Sequence, residues 1–185
     1  MMVIDQAVDA LKQGKVIAYP TEAVFGVGCD PDDEKALEAL IELKQRDPSK
    51  GLILIAASFD QLLPYVDVSA LSTEQLDTVF KSWPGPVTWV MPISKKVHEL
   101  VHGQFDSVAV RVTDHEMVQQ LCLEFGKPIT STSANLSGLP PCLTADEVES
   151  QLGSEDVFIL QGAVGNRNKP SEIKDARSLQ VLRQG

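Results

Sequence analysis

The sequence predicts an α/β fold: a twisted, open, mixed sheet with helices packed on it, in a single domain spanning residues 1–185. Three observations carry that expectation. Continuous apolar runs such as VIAYP (16–20) and GLILIAA (51–57) read as strands inside a sheet. FDSVAVRVTDHE (105–116) alternates, with Ser107, Ala109 and Arg111 on one face and Val108, Val110 and Val112 on the other. Between the runs lie segments with apolar residues at helical spacing. Strands alternating with helices build a layered α/β domain, and some adjacent strands make the sheet mixed. At 185 residues and 43% hydrophobic composition the chain has the size and make-up of one soluble domain.

In chain order, Ile4, Val8 and Leu11 mark a short amphipathic helix over 4–13 that Gly14 ends. VIAYP follows as a buried strand. PTEAVFGVGCD (20–30) sets Thr21, Glu22 and Asp30 around an apolar run with Gly26 and Gly28, and paired glycines let backbone approach another group closely. Asp32 and Asp33 cap a helix running to Arg46, before Asp47 and Pro48. After GLILIAA, two helices are expected, around Phe59–Tyr65 and Thr73–Ser82. Pro-Gly-Pro then turns into the strand VTWVM, with Trp83 and Trp89 read as core or turn packing. His98 and His102 stand four apart without a third ligand and are read as surface residues, so no metal site is expected. Met117–Phe125 is the next helix. It leads into KPITSTSANLSG (127–138), where a short strand spills into a loop crowded with hydroxyls and an amide. Such a loop caps a helix or binds a ligand at a strand end. Thr144 and Glu147 spell a capping box. VFILQG is read as the last strand, and GNRNKPSEIKDAR (165–177) as a polar loop.

Composition restricts the function classes. A formal net charge of −10 argues against broad nonspecific nucleic-acid binding, which needs phosphate neutralisation. Cys29, Cys122 and Cys142 are odd in number and unpaired in spacing, as expected of free thiols in a reducing compartment. The N-terminal stretch carries acids and no apolar core of a signal peptide, and no run is long enough to span a membrane, so a cytoplasmic location without membrane contact is expected.

The candidate chemistry lies in four separated clusters: Lys44/Arg46/Lys50, Ser107/Arg111, Ser131/Ser133/Asn135 and Lys169/Ser171/Arg183. No nucleophile elbow, Walker loop or Cys–His arrangement accompanies them. Lys44, Arg46 and Lys50 at a helix end complement its dipole or hold a polyphosphate. An arginine sharing a face with Ala109 needs an anion if that face is core. The inventory suits a site that binds polyanions and stabilises charge, as phosphoryl and nucleotidyl transfer require.

PTEAVFGVGCD, KQR (44–46), PGPVTWV, SVAVRV, STSANLSG and PSEIKD, in this order, resemble the YrdC/Sua5 family in its short single-domain form. The resemblance implies a YrdC-like fold around a large concave basic cavity. It also implies synthesis of threonylcarbamoyl-AMP and pyrophosphate from L-threonine, bicarbonate and ATP, with Mg²⁺ carried mainly by the ATP phosphates. The product serves tRNA-threonylcarbamoyl transferase proteins, which modify an adenosine in tRNAs reading ANN codons. By the same resemblance Lys44, Arg46, Ser133 and Asn135, the family's KxR and SxN signature, are the catalytic set. Lys50, Ser107, Ser131 and Arg183 join them in ATP binding, and Thr21, Arg111 and Ser171 match positions that hold L-threonine. Ile55 stands about where longer members carry a histidine, and their added C-terminal domain has no counterpart in this sequence, so a closing lid is expected from residues 165–175. The alternative class is a non-catalytic module binding structured RNA or a ribosomal RNA precursor by shape, with RNA or tRNA as its partner, which needs cations but no catalytic set. A carbamoyl-transfer domain like that of hydrogenase-maturation proteins is disfavoured, because no zinc-finger or acylphosphatase segment is fused to the chain.

Overall fold

The computed structural model describes residues 2–185, which form one nine-stranded mixed sheet with helices on both faces. The strands are β1 (Val16–Pro20), β2 (Phe25–Gly28), β3 (Ile53–Ala56), β4 (Val87–Pro92), β5 (Ser107–Val112), β6 (Ile129–Ser133), β7 (Val157–Ile159), β8 (Glu172–Asp175) and β9 (Val181–Arg183). Their order across the sheet is β7-β1-β2-β6-β3-β5-β4-β8-β9. The main helices are α1 (Met2–Lys12), α2 (Glu34–Lys44), α3 (Phe59–Leu62), α4 (Thr73–Lys81), α5 (Glu99–His102), α6 (Glu116–Phe125) and α7 (Ala145–Leu152).

Strand β6 joins the two halves of the sheet. It pairs antiparallel with β2 through Ser133 and Thr132 and with β3 through Ser131, Thr130 and Ile129. Period-two alternation then sorts the faces. Val108, Val110 and Leu54 point into the larger core with Leu37 and Leu40 of α2. On the other face the residues divide along the strands. Ile17, Tyr19, Ile55 and Ile129 pack under α1 and α6. Ile53, Ser107, Ala109, Arg111, Ser131 and Ser133 lie beyond those helices and line an open cleft. The cleft is thus the part of one sheet face that α1 and α6 leave uncovered.

Local chemistry explains the helix starts. Asp33 caps α2, its Oδ1 accepting from Ala36 N–H at 3.1 Å. Asp32, expected to share that cap, instead accepts from Tyr65 and Lys127. Thr144 Oγ1 takes the Glu147 N–H at 3.1 Å, but the Glu147 carboxylate reaches past the cap to Leu143 N–H. A complete capping box sits at Ser72 and Gln75.

Three strands were absent from the sequence reading. β2, within the Gly26/Gly28 run, forms a hairpin with β1 and pairs with β6, its glycines keeping the backbones close. The polar stretch expected as a loop contains β8, held parallel to β4, with Lys174 Nζ 5.6 Å from the Trp89 ring centroid. β9 closes the sheet edge against β8. VFILQG therefore contributes β7 at one edge but is not the last strand. His98 and His102 are half-buried rather than surface residues: His98 Nδ1 accepts from Leu100 N–H as the cap of α5, and His102 faces the cleft. The three cysteines are free and buried. No helix among the described residues is long and apolar enough to cross a membrane.

Candidate active site

The cleft encloses about 760 Å³, within the usual range for small-molecule sites. Arg46, Lys50, Arg111, Arg167, Lys169 and Arg183 line it, against the carboxylates of Glu22 and Asp175. Side chains more than a hundred positions apart in sequence meet here because the β1–β2 hairpin loop, the end of β6, β5 and the 165–171 segment converge.

The KQR segment is divided by its backbone. Gln45 adopts a left-handed conformation (φ 53°) as the cap of α2, and Arg46 N–H closes the turn on Ile41 O at 3.1 Å. The turn sends the two cations in different directions. Arg46 is half-buried in the cleft wall; its Nε and Nη2 donate to Gly51 O at 3.3 and 3.0 Å, and its Nη1 lies 3.5 Å from Thr132 Oγ1. Lys44 points behind the wall and is only 2% exposed. Its Nζ donates to Ser133 O at 2.5 Å, Asn135 O at 3.0 Å and Asn135 Oδ1 at 2.8 Å. Ser133 Oγ donates to the same Asn135 Oδ1 at 2.8 Å, and Asn135 Nδ2 donates to Leu136 O and Leu139 O.

Lys44 and Asn135, expected in direct contact with ATP, therefore do not line the cleft, whereas Ser131 and Ser133 do. The physical reason is satisfaction: all three Lys44 donors are used on the loop that carries Ser133. Burial and the nearby Arg46 guanidinium push the Lys44 ammonium down to about 8. A ¹³Cε NMR titration should find Lys44 half-deprotonated near pH 8, while exposed lysines titrate near their usual ~10.4. A Lys44 signal that titrates with the exposed lysines would mean that its ammonium is open to water.

A second group gathers at Arg111, which the structure gives an anion from within the chain. Arg111 Nη1 donates to Glu22 Oε2, and Thr113 Oγ1 donates to Glu22 Oε1 at 3.1 Å. Glu22 and Arg111 are each 8% exposed, and both line the cleft. Thr21 is buried beside them, its hydroxyl donating to Val24 O at 2.6 Å. Ser171 Oγ lies 2.8 Å from Thr88 Oγ1, and Arg183 Nη2 donates to Ser171 O at 2.7 Å. Ser107 and Lys50 complete the expected residues on the wall; Ile55 is fully buried under α6 and does not reach it. Sequence reasoning missed Glu22 as a site residue, along with Thr132, His102 and Arg167. For Glu22 the signal was present: an arginine on an inward strand face requires a carboxylate, and Glu22 is the acid of the hairpin loop.

The segment from Leu160 to Ser171 leaves one edge strand, β7, and enters β8 near the opposite edge. It is pinned on its way, Gly165 N–H to Thr21 O at 2.8 Å and Arg167 N–H to Glu22 O at 3.1 Å, and its last residues form part of the cleft wall.

The Sua5/YciO/YrdC family model, described as telomere recombination, matches residues 9–185. A protein of Vibrio parahaemolyticus named threonylcarbamoyl-AMP synthase is 65% identical over 181 residues, covering 98% of each chain. Among solved structures, Sua5 from P. abyssi complexed with L-threonine superposes with a TM-score of 0.83 at 34% identity, over 93% of this chain and 50% of that one. This chain thus spans about half of that Sua5 protein. E. coli YciO superposes with a TM-score of 0.86 at 25% identity, over 100% of this chain and 89% of that one.

Proposed function

Because this chain belongs to the Sua5/YciO/YrdC family, we propose that its cleft makes threonylcarbamoyl-AMP and pyrophosphate from L-threonine, bicarbonate and ATP. One observation carries the reading: a single cleft joins a cation-and-hydroxyl wall, Arg46, Lys50, Ser131 and Ser133, to a buried charge pair, Glu22 and Arg111. The first suits a triphosphate and the second an amino acid. The full-length likeness to proteins named for this activity, and the L-threonine held by the P. abyssi protein, support the same assignment.

The chemistry follows from that division. Threonine's amine and bicarbonate combine, with loss of water, into a carbamate. A carbamate oxygen then attacks the α-phosphorus of ATP, and pyrophosphate leaves. Attacking group and leaving group are both anions, so the adenylation step asks for fixed positive charge and donors rather than a strong base. Arg46 and Lys50 would hold the phosphates, and Ser133 would turn its hydroxyl from Asn135 to the ligand. Lys44 and Asn135 would act from behind by fixing the Ser133 loop. Arg111 would take the threonine carboxylate, with Thr21 and Ser171 nearby, while Ser107 and Arg183 extend the nucleotide side. Mg²⁺ would ride on the triphosphate, where it neutralises charge. The product would pass to tRNA-threonylcarbamoyl transferase proteins in the cytoplasm.

The deciding experiment incubates pure protein with ATP, L-threonine and bicarbonate and measures pyrophosphate and threonylcarbamoyl-AMP. No product dependent on all three substrates would refute the assignment. Arg46→Ala should weaken ATP by about 1.5–3 kcal/mol, the range for a hydrogen bond to a charged group. Arg46→Lys should not restore it, because one ammonium cannot both hold Gly51 O and reach the cleft. Isothermal calorimetry with a non-hydrolysable ATP analogue checks both variants; wild-type affinity in Arg46→Ala would remove Arg46 from the phosphate site.

A further inference from the structure

We propose that Glu22 is a substrate-recognition residue, which together with Arg111 reads the α-amino acid as a zwitterion: Arg111 binds its carboxylate and Glu22 its ammonium. The inference rests on the reading of the cleft as an amino-acid site and adds a contact that neither the sequence motifs nor the relatives' names assign.

Three features of the pair support it. First, Arg111 is underused. Its Nη1 donates to Glu22, but Nε and Nη2 have no partner among the described residues, although the residue is 8% exposed. A guanidinium buried only to brace the fold needs its remaining donors satisfied. Here the surface it retains belongs to the cleft wall, so its free edge is available to a ligand carboxylate. Second, Glu22 is the acid placed to take a cation there. Asp175, the other carboxylate of the wall, is folded into its own turn by Arg177 N–H at 2.8 Å. Third, Glu22 is held in place before any ligand arrives. Arg111 and Thr113 each bond one of its carboxylate oxygens, and its carbonyl receives Arg167 N–H. Gly165 fits against that carbonyl with no room for a side chain, since a Cβ would stand 2.7 Å from Glu22 O.

The geometry matches the ligand class. An α-amino acid carries its ammonium and carboxylate on one carbon, so a site that reads both charges needs an anion and a cation in contact with each other. Glu22 and Arg111 are such a pair, both facing one cavity. A simple carboxylate without the amine would meet Arg111 but bring its negative charge beside Glu22 with no ammonium to offset it, which makes the pair selective for the amine-bearing acid.

Calorimetry with L-threonine and with 2,3-dihydroxybutyrate, its analogue with hydroxyl in place of the amine, tests this. The wild type should prefer threonine by roughly tenfold or more, the scale of one charge-assisted hydrogen bond. Glu22→Gln, nearly the same size without the charge, should bring the two ligands to within about threefold, with binding of the ATP analogue retained. A folded Glu22→Gln that keeps the wild-type preference overturns the proposal. So does a wild type that binds both acids equally, and that comparison needs no variant to fold. Failure is separable from that of the functional reading: a wild type that binds threonine without discrimination sinks this inference alone, and one that binds no threonine sinks the reading of the cleft as well.

Discussion

Lys44→Met should reduce pyrophosphate release at saturating substrates by about 10²–10³-fold, the usual cost of losing a preorganised donor to developing charge. The residue does not line the cleft, so the loss would act through the Ser133 loop. Lys44 ties Ser133 O, Asn135 O and Asn135 Oδ1 to one point, and Asn135 Oδ1 in turn receives the Ser133 hydroxyl. Methionine fills similar space but donates nothing. Each buried acceptor left without its partner costs about 1–3 kcal/mol, while removing a buried ammonium recovers some of that loss. A net destabilisation of about 2–4 kcal/mol is therefore expected in urea melts. Steady-state turnover and the urea midpoint should fall together, with Asn135→Ala giving a smaller version of both. A folded Lys44→Met that turns over normally would show that the loop keeps its shape without the lysine.

Gly28→Ala should have the largest effect on stability, more than about 3 kcal/mol, enough to leave little folded protein. A Cβ at Gly28 would stand 1.7 Å from Thr130 O, a main-chain atom of the neighbouring strand. That carbonyl already accepts from the Tyr19 hydroxyl at 2.9 Å, and Thr130 N–H donates to Cys29 O at 3.0 Å, so it cannot retreat without breaking the β2–β6 contact. Gly26→Ala provides the internal comparison. Its Cβ would meet the Tyr19 ring at 3.1 Å, a side chain that can shift by a few tenths of an ångström. Soluble yield and urea midpoints should separate the two variants clearly. Equal stability for both would mean that β2 stands further from β6 than described here.

The sequence disclosed the parts of this molecule that use strong local signals. VIAYP and GLILIAA, buried as β1 and β3, were legible from unbroken hydrophobicity, and α2 from its Asp33 cap. The strands that were not legible, β2, β8 and β9, are three or four residues long and owe their extended form to neighbours. Lys174 in β8 is polar in sequence but lies against Trp89 in the fold, a contact no local pattern encodes. The cluster residues of the site were likewise legible, but not the direction each faces. Lys44 and Arg46 are separated by one residue, and only the left-handed Gln45 decides that one enters the cleft and the other its backing. Nothing local to Glu22 marks it as a site residue, because its partner lies 89 positions away.

The connection between β7 and β8 also sets a length constraint on the whole molecule. Seven inter-strand spacings separate those strands in the sheet, roughly 34 Å along its arc at about 4.8 Å each. The twelve residues from Leu160 to Ser171 can extend to roughly 40–43 Å. The tether has little slack, and two hydrogen bonds to the Thr21–Glu22 loop take up part of it. Most surface loops can lose a few residues with small cost, but this span has only about two to spare before the two rims of the sheet must draw together. The width of the sheet thus sets a minimum length for this connection.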